Sequence, residues 1–399
     1  MALTGRAGGP PLAAPGDPAA RVARELARTG HLTRERTGVW PELPGVELLG
    51  ERAALGGLGR RGPESCGGAF RVLRTADGHV GLSLPRVEDV ELVPALVEGP
   101  VHHDDPWDSV ARWARSTLSE AAAARVRLLG LAGAAVPAPE RHSRPGISVT
   151  EYGGRTHRRT HPVVVDLTAL WAGPLCAHLL GLGGARIIKI ESRTRPDGSR
   201  RGAAGFFDLL HHGHTMVGLD FRESRDLDLL HGLITDADLV LESSRPRALR
   251  QLGIDAAECA ARGTSWLSIT AHGRASDAIG FGDDVAAAAG LVIRDRDTVL
   301  PCGDAIADPL TGVCAAAAAS AALLADNARL IDVSMLHLAA ETATGAVEEH
   351  SIRRTGQGWW VDSAAGSYPV AAPRARRAPA PAGPLGADNA GFGLEVIER

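Results

Sequence analysis

Apolar and polar positions follow two different rhythms along this chain, and the change falls near residue 161. Beyond it, short continuous apolar runs alternate with longer helical patterns. PVVVDLT (162–168), ARIIKIE (185–191), ADLVLES (237–243) and SWLSITA (265–271) each read as a buried strand bounded by turn formers. AGPLCAHLLGLGG (172–184) reads as a helix stopped by glycine, and a helical run separates the last two strands. An Ala-rich helix over 310–325 precedes a further strand, RLIDVSM (329–335), and another helix from His337. Strands alternating with helices predict an α/β fold, a parallel sheet covered on both faces.

Upstream the pattern is different. Residues 1–44 are rich in Gly, Pro, Ala and Arg and read as a loose segment with at most one helix, 19–28. AFRVLRTADGHVGLSL (69–84) reads as a hairpin turning on Asp77-Gly78. Helices are predicted over 89–97 and 107–131, the latter stopped before Gly133. Hairpin plus helices make a smaller α+β domain, 45–137. Residues 138–160 are polar and Pro-rich and read as a linker to the large domain, 161–399, whose tail (369–399) wraps the surface.

Composition narrows the function. The formal charge of −4 on 399 residues argues against a nucleic-acid partner. The longest apolar stretch, 313–325, falls short of the roughly 20 residues that span a bilayer, so no membrane association is expected. Five cysteines without a CxxC pair predict reduced thiols in a cytoplasmic protein, with neither a disulfide frame nor a metal site. Of 43 basic residues only Lys189 is lysine, a bias that a GC-rich genome produces.

The individual motifs are ambiguous. The glycines of GLGGA (181–185) end a helix and precede a strand, the reverse of a dinucleotide-binding loop. His211, His212 and His214 lack metal-site spacing, and no GxSxG elbow occurs. Asp304 and Asp308, in CGDAIADPLTG, precede the Ala-rich helix; there a carboxylate either caps free N–H groups or faces a ligand as nucleophile or base.

Taken in order, the segments resemble the class III CoA-transferases, the CaiB/BaiF family, which also includes a racemase branch. VVVDLTALWAGPLCAHLLGLGGARIIKIE, ADLVLESSRPRALRQLGI, SWLSITAHG, GFGDDVAAAAGLV and ADPLTGVCAAAAASAALL with IDVSML carry the likeness across about 161–345. GGAFRVLRTADGHVGLSL resembles the family's small domain, which normally follows IDVSML, and MALTGRAGGPP resembles a segment that normally lies between the fourth and fifth pieces. That displaced order implies a circular permutation. The resemblance further implies a Rossmann-like large domain with a smaller α+β domain, and a homodimer of interlocked chains.

It also implies a chemistry. The family nucleophile is an aspartate four residues before a glycine at a helix start, a spacing that Asp308 has to Gly312 and Asp304 lacks. Asp17 is a weak echo of the same motif. The implied function is transfer of CoA from an acyl-CoA to a carboxylic acid through an aspartyl anhydride and an aspartyl-CoA thioester. CoA is then a substrate, and no cofactor is permanently bound. The CoA-contacting positions fall on Trp171, Ala172, Arg193, His214, Ser243, Ser244, Arg245 and His272. His214 replaces a family lysine, so weak CoA binding that tightens below about pH 6.5 is expected. Trp171 stands where several transferases have glutamine and would narrow the acyl pocket. Alternatives are a 2-methylacyl-CoA racemase, although Asp283-Asp284 stands where that branch has His-Asp, and a non-catalytic CoA-binding or dimeric partner homologue.

Overall fold

A computed structural model describes residues 1–101, 105–137, 144–244 and 246–394. The centre is a seven-stranded sheet. Its six parallel strands are Val163–Leu167, Arg186–Ser192, Thr215–Leu219, Leu239–Glu242, Ser265–Thr270 and Asn327–Ser334. Numbered along the chain they lie side by side as 3-2-1-4-5-6, the doubly wound order. The order reverses between Val163–Leu167 and Leu239–Glu242, so a crevice opens at the carboxyl ends of those two strands. Ile147–Gly154, inside the predicted linker, adds an antiparallel edge strand beside Asn327–Ser334.

The four strands first read from the sequence are all present, because each is an unbroken apolar run covered on both faces. Thr215–Leu219 was not anticipated; its run is too short to stand out. The Ala-rich helix spans Ala307–Leu324. It is long and apolar enough to cross a membrane by length and composition, yet 83% of it is buried inside the molecule, where it is the core helix. Alanine and glycine let it press close to Ala172–Leu182: a Cβ on Gly312 would lie 2.6 Å from the Ala172 carbonyl oxygen.

The amino-terminal segment is more ordered than its composition predicts. Pro18–Thr37 is one 20-residue helix, capped by Asp17 accepting from the Ala20 N–H, with Val22 and Leu26 in the main core. Asp17 is thus a plain helix cap. A 107–131 helix does not form; Pro106–Arg115 and Ser119–Leu128 are separate helices, and Gly133 lies in a strand, Ala132–Ala135. That strand joins the hairpin Phe70–Arg74/His79–Ser83, whose connection is four residues rather than two. Phe70 and Val72 pack with Ala287, Val292 and Val299, so the hairpin lies against the large domain. A second three-stranded sheet, within 350–369, has no buried residue. All five cysteines are free and buried.

The lone lysine is fully buried. Lys189 lies directly across from Asp166 on the neighbouring strand; its Nζ is 3.6 Å from Asp166 and 3.3 Å from Asp197, and it donates to the Thr168 carbonyl. Asp197 in turn accepts from the Leu170 N–H at 3.0 Å. This triad fastens the 168–171 turn, where Leu170 has φ 71°, at the crest of the first parallel strand. Lys189→Met leaves two buried carboxylates without their cation. It is expected to cost about 3–5 kcal/mol, read as a lower midpoint in urea denaturation.

Candidate active site

Four elements converge beside the switch-point crevice. Asp308 is the second residue of the core helix Ala307–Leu324, one turn before the Gly312–Ala172 contact, so its helix starts next to the crest. Gly282–Ala288 is a short helix contributing Gly282, Asp283 and Asp284 at its head. The 302–306 loop brings Asp304, and the short helix Glu51–Leu55 brings Arg52.

Asp308 does not cap its own helix. Its half-buried carboxylate accepts instead from the Gly282 N–H of the facing helix. Burial pushes Asp308 up to about 7, against the opposing pull of Arg52. Asp283, half-buried, accepts from the Ala305 N–H at 2.9 Å, and Asp284, fully buried, accepts from the Ser83 hydroxyl at 2.7 Å and the Phe281 N–H at 3.0 Å. Burial raises both of them to about 7 as well. Asp304 is fully buried and takes Arg52 as a forked partner, Nε at 3.0 Å to one oxygen and the second nitrogen to the other. Ala305, between these carboxylates, has φ 43°, an uncommon left-handed backbone for a residue with a side chain.

The site therefore gathers several acids around a single guanidinium, with one carboxylate reachable at a helix head. Such a group is ionised through a large part of the neutral range yet poorly solvated, which suits attack on a carbonyl carbon.

Of the residues expected to contact CoA, Trp171 and Ala172 lie at the crest beside Asp308. Trp171 is buried, with the Arg52 guanidinium 5.1 Å from its ring centroid and Phe206 edge-on at 5.3 Å. Ser243 and Ser244 follow the fourth parallel strand on the other side of the switch point, and the Ser244 N–H is held by buried Glu242 at 2.6 Å. Arg193 and His272 follow the second and fifth parallel strands on the same carboxyl edge. Arg193 is bonded to the Gly218 carbonyl at 3.2 Å. Burial, then the neighbouring His337, lowers the pKa of His272. Arg245 lies outside the described residues.

His214 is placed apart from the other candidates. It precedes the Thr215–Leu219 strand, away from the carboxyl edge, packed 3.3 Å from His211. Burial, with the Lys189 charge, drives its pKa to about 3. Burial of this kind opposes the protonation that the expected tightening of CoA binding below about pH 6.5 requires.

Sequence reasoning missed Arg52, Gly282 and Arg274. Arg274 stands 3.5 Å from Glu242 beneath the serine turn and also donates to Ser268. Its position just after a strand end was a usable signal; nothing in the sequence pointed to Arg52. Among the described residues no cluster could hold a metal ion.

Comparison with known proteins points to one family. The family described as CoA-transferase family III matches residues 162–368. Among curated relatives, the probable CoA-transferase Rv1866 of Mycobacterium tuberculosis is 34% identical over 95 residues, 23% of this chain and 12% of its own length. The (R)-2-hydroxy-4-methylpentanoate CoA-transferase of Clostridioides difficile is 31% identical over 102 residues, 23% of this chain and 25% of its own. The chain thus matches a quarter or less of these two proteins. A CAIB/BAIF family protein from Brucella suis superposes with a TM-score of 0.45 at 20% identity, covering 51% of this chain and 65% of that one.

Proposed function

Because the chain belongs to CoA-transferase family III, we propose that it moves CoA from an acyl-CoA to a carboxylic acid, with Asp308 as the nucleophile. The observation that carries this is the Asp308 carboxylate: half-buried, turned away from its own helix and held by the Gly282 N–H next to the crevice.

In this reading an Asp308 oxygen attacks the thioester carbon. The C–S bond breaks, leaving an aspartyl anhydride and the CoA thiolate. The thiolate then attacks the aspartyl carbonyl and releases the donor acid, giving an aspartyl-CoA thioester. The acceptor carboxylate attacks that thioester and frees the thiolate again. The thiolate finally takes the acceptor acyl carbon and returns Asp308 as a carboxylate. CoA lies across the switch point, over the turns of Trp171–Ala172 and Ser243–Ser244, with Arg193, His272 and Arg274 on the same edge. The displaced order of the segments supports a circular permutation, and the homodimer belongs to the same proposal.

The attacking species is ionised Asp308, whose pKa burial raises to about 7. Below that pH the group is a neutral acid, so formation of the acceptor's CoA ester rises about tenfold per pH unit and levels above pH 7. The check is formation of the acceptor's CoA ester, separated by chromatography, across a panel of acyl-CoAs and carboxylates between pH 5.5 and 8.5. A flat profile with a turned-over substrate rejects Asp308 as the titrating nucleophile. A racemase or a non-catalytic homologue forms no acceptor CoA ester with any pair.

A further inference from the structure

Arg52 comes from the start of the region read as the small domain, 256 positions before Asp308. Three contacts seat it. Glu51, its neighbour, takes Arg376 of the carboxy-terminal tail as a forked partner at 2.6 and 2.9 Å, and Arg376 also reaches His178 at 3.0 Å. The segment is tied to the 302–306 loop, where the Gly303 N–H donates to Thr4 at 3.0 Å and the Cys66 thiol lies 3.3 Å from the Gly303 carbonyl. Arg52 itself lies over the Trp171 ring, at the crest.

The groups facing Asp308 are Asp283 and Asp284 from the short helix, Asp304 from the loop, and Arg52. Cys66 borders the same cluster, and burial holds it as a neutral thiol, pushed up to about 12. Arg52 is the cation acting on Asp308, and it is spent on Asp304, not on Asp308 itself.

We propose that Arg52 is a positioning residue for Asp308: by neutralising Asp304 inside the acid cluster, it keeps the ionised, attacking form of Asp308 populated at neutral pH. This rests on Asp308 being the nucleophile. An unpaired Asp304 adds a buried negative charge next to a carboxylate that burial already disfavours. The amino-terminal segment thereby becomes a working part of the site. The seating at Glu51–Arg376 makes the charge available in one place.

The test reads the protonation of Asp308 directly, apart from turnover. A small diazoacetamide esterifies carboxylic acids only in their protonated form, with loss of nitrogen. Mass analysis of the tryptic peptide 297–329 locates the ester, and the pH at which labelling of Asp308 halves is recorded. In Arg52→Gln that pH is expected to rise by about one unit or more, with the acidic limb of CoA transfer moving in parallel. Arg52→Lys shifts it less. Asp304→Asn shifts it downward, and the double variant returns towards the parent protein. Arg222→Gln, in an exposed pair with Asp220, leaves it unchanged. If Arg52→Gln does not fold, Arg52→Lys and Asp304→Asn carry the test. An unmoved labelling pH in folded Arg52 and Asp304 variants, even with activity lost, overturns the proposal. Labelling that shifts as expected in a protein that transfers no CoA overturns the nucleophile reading and leaves the charge relation standing.

Discussion

Asp308→Asn is expected to abolish both the covalent intermediate and CoA transfer, lowering the rate by about a thousandfold or more. With a productive acyl-CoA, hydroxylamine attacks the activated aspartyl carbonyl and leaves a hydroxamate, found by mass on the 297–329 peptide. Asparagine keeps the shape and can still accept from the Gly282 N–H, but its amide oxygen carries no charge with which to attack. The loss should not come from unfolding. A carboxyl whose pKa is raised in the fold is destabilised when ionised; that cost is absent below its unfolded value near 3.8, grows as pH rises, and is complete above about 7. Removing the charge therefore leaves the variant at least as stable at pH 8, which urea denaturation can establish. Asp304→Asn and Asp17→Asn should retain the adduct, the first because Asp304 acts through Arg52, the second because Asp17 caps a helix. Wild-type exchange in Asp308→Asn would return this residue to a structural role.

Gly282→Ala is expected to reduce transfer by about a hundredfold while the chain still folds. A Cβ at Gly282 would lie 2.4 Å from the Ala305 carbonyl oxygen and 2.5 Å from Asp308 Oδ2, well inside contact distance. The Ala305 backbone cannot easily give way, since it is held by Asp283 at 2.9 Å in a left-handed conformation. The Asp308 side chain is the softer element, so the methyl turns it aside and opens the bond from the Gly282 N–H. Overpacking of this kind costs about 1–3 kcal/mol of stability. Gly153→Ala, where nothing lies within 4 Å of the new methyl, serves as the comparison and should keep full activity. Undiminished transfer in Gly282→Ala would mean that the carboxylate needs no such fixed support.

Much of the large domain is legible in the residue pattern. PVVVDLT, ARIIKIE, ADLVLES and SWLSITA form strands because a parallel strand buried on both faces must be continuously apolar. Asp308 stands out only through the family resemblance, which gives its spacing to Gly312 a meaning; the residues alone leave a helix cap open. The doubly wound order then carries Trp171–Ala172 and Ser243–Ser244 to adjacent strand ends, although 71 positions separate Ala172 from Ser243. Thr215–Leu219 and the exposed sheet at 350–369 have no such signature, since short or solvated strands lack a distinctive apolar run.

Local pattern reports which residues are buried and in what period; it does not report which distant charges meet. His214 follows the family's cationic position by sequence, yet lies away from the strand ends where the crevice opens and is held neutral by burial. Arg52 looks like any arginine of a Gly- and Ala-rich segment, and only the packing of Pro18–Thr37 and the Glu51–Arg376 pair delivers it to Asp304. The strands depend on short-range periodicity, which a chain carries openly, and Asp308 as the proposed nucleophile depends on a spacing that the family resemblance supplies. The charge balance around that nucleophile depends on Coulomb interactions across hundreds of positions, and those exist only once the chain has folded.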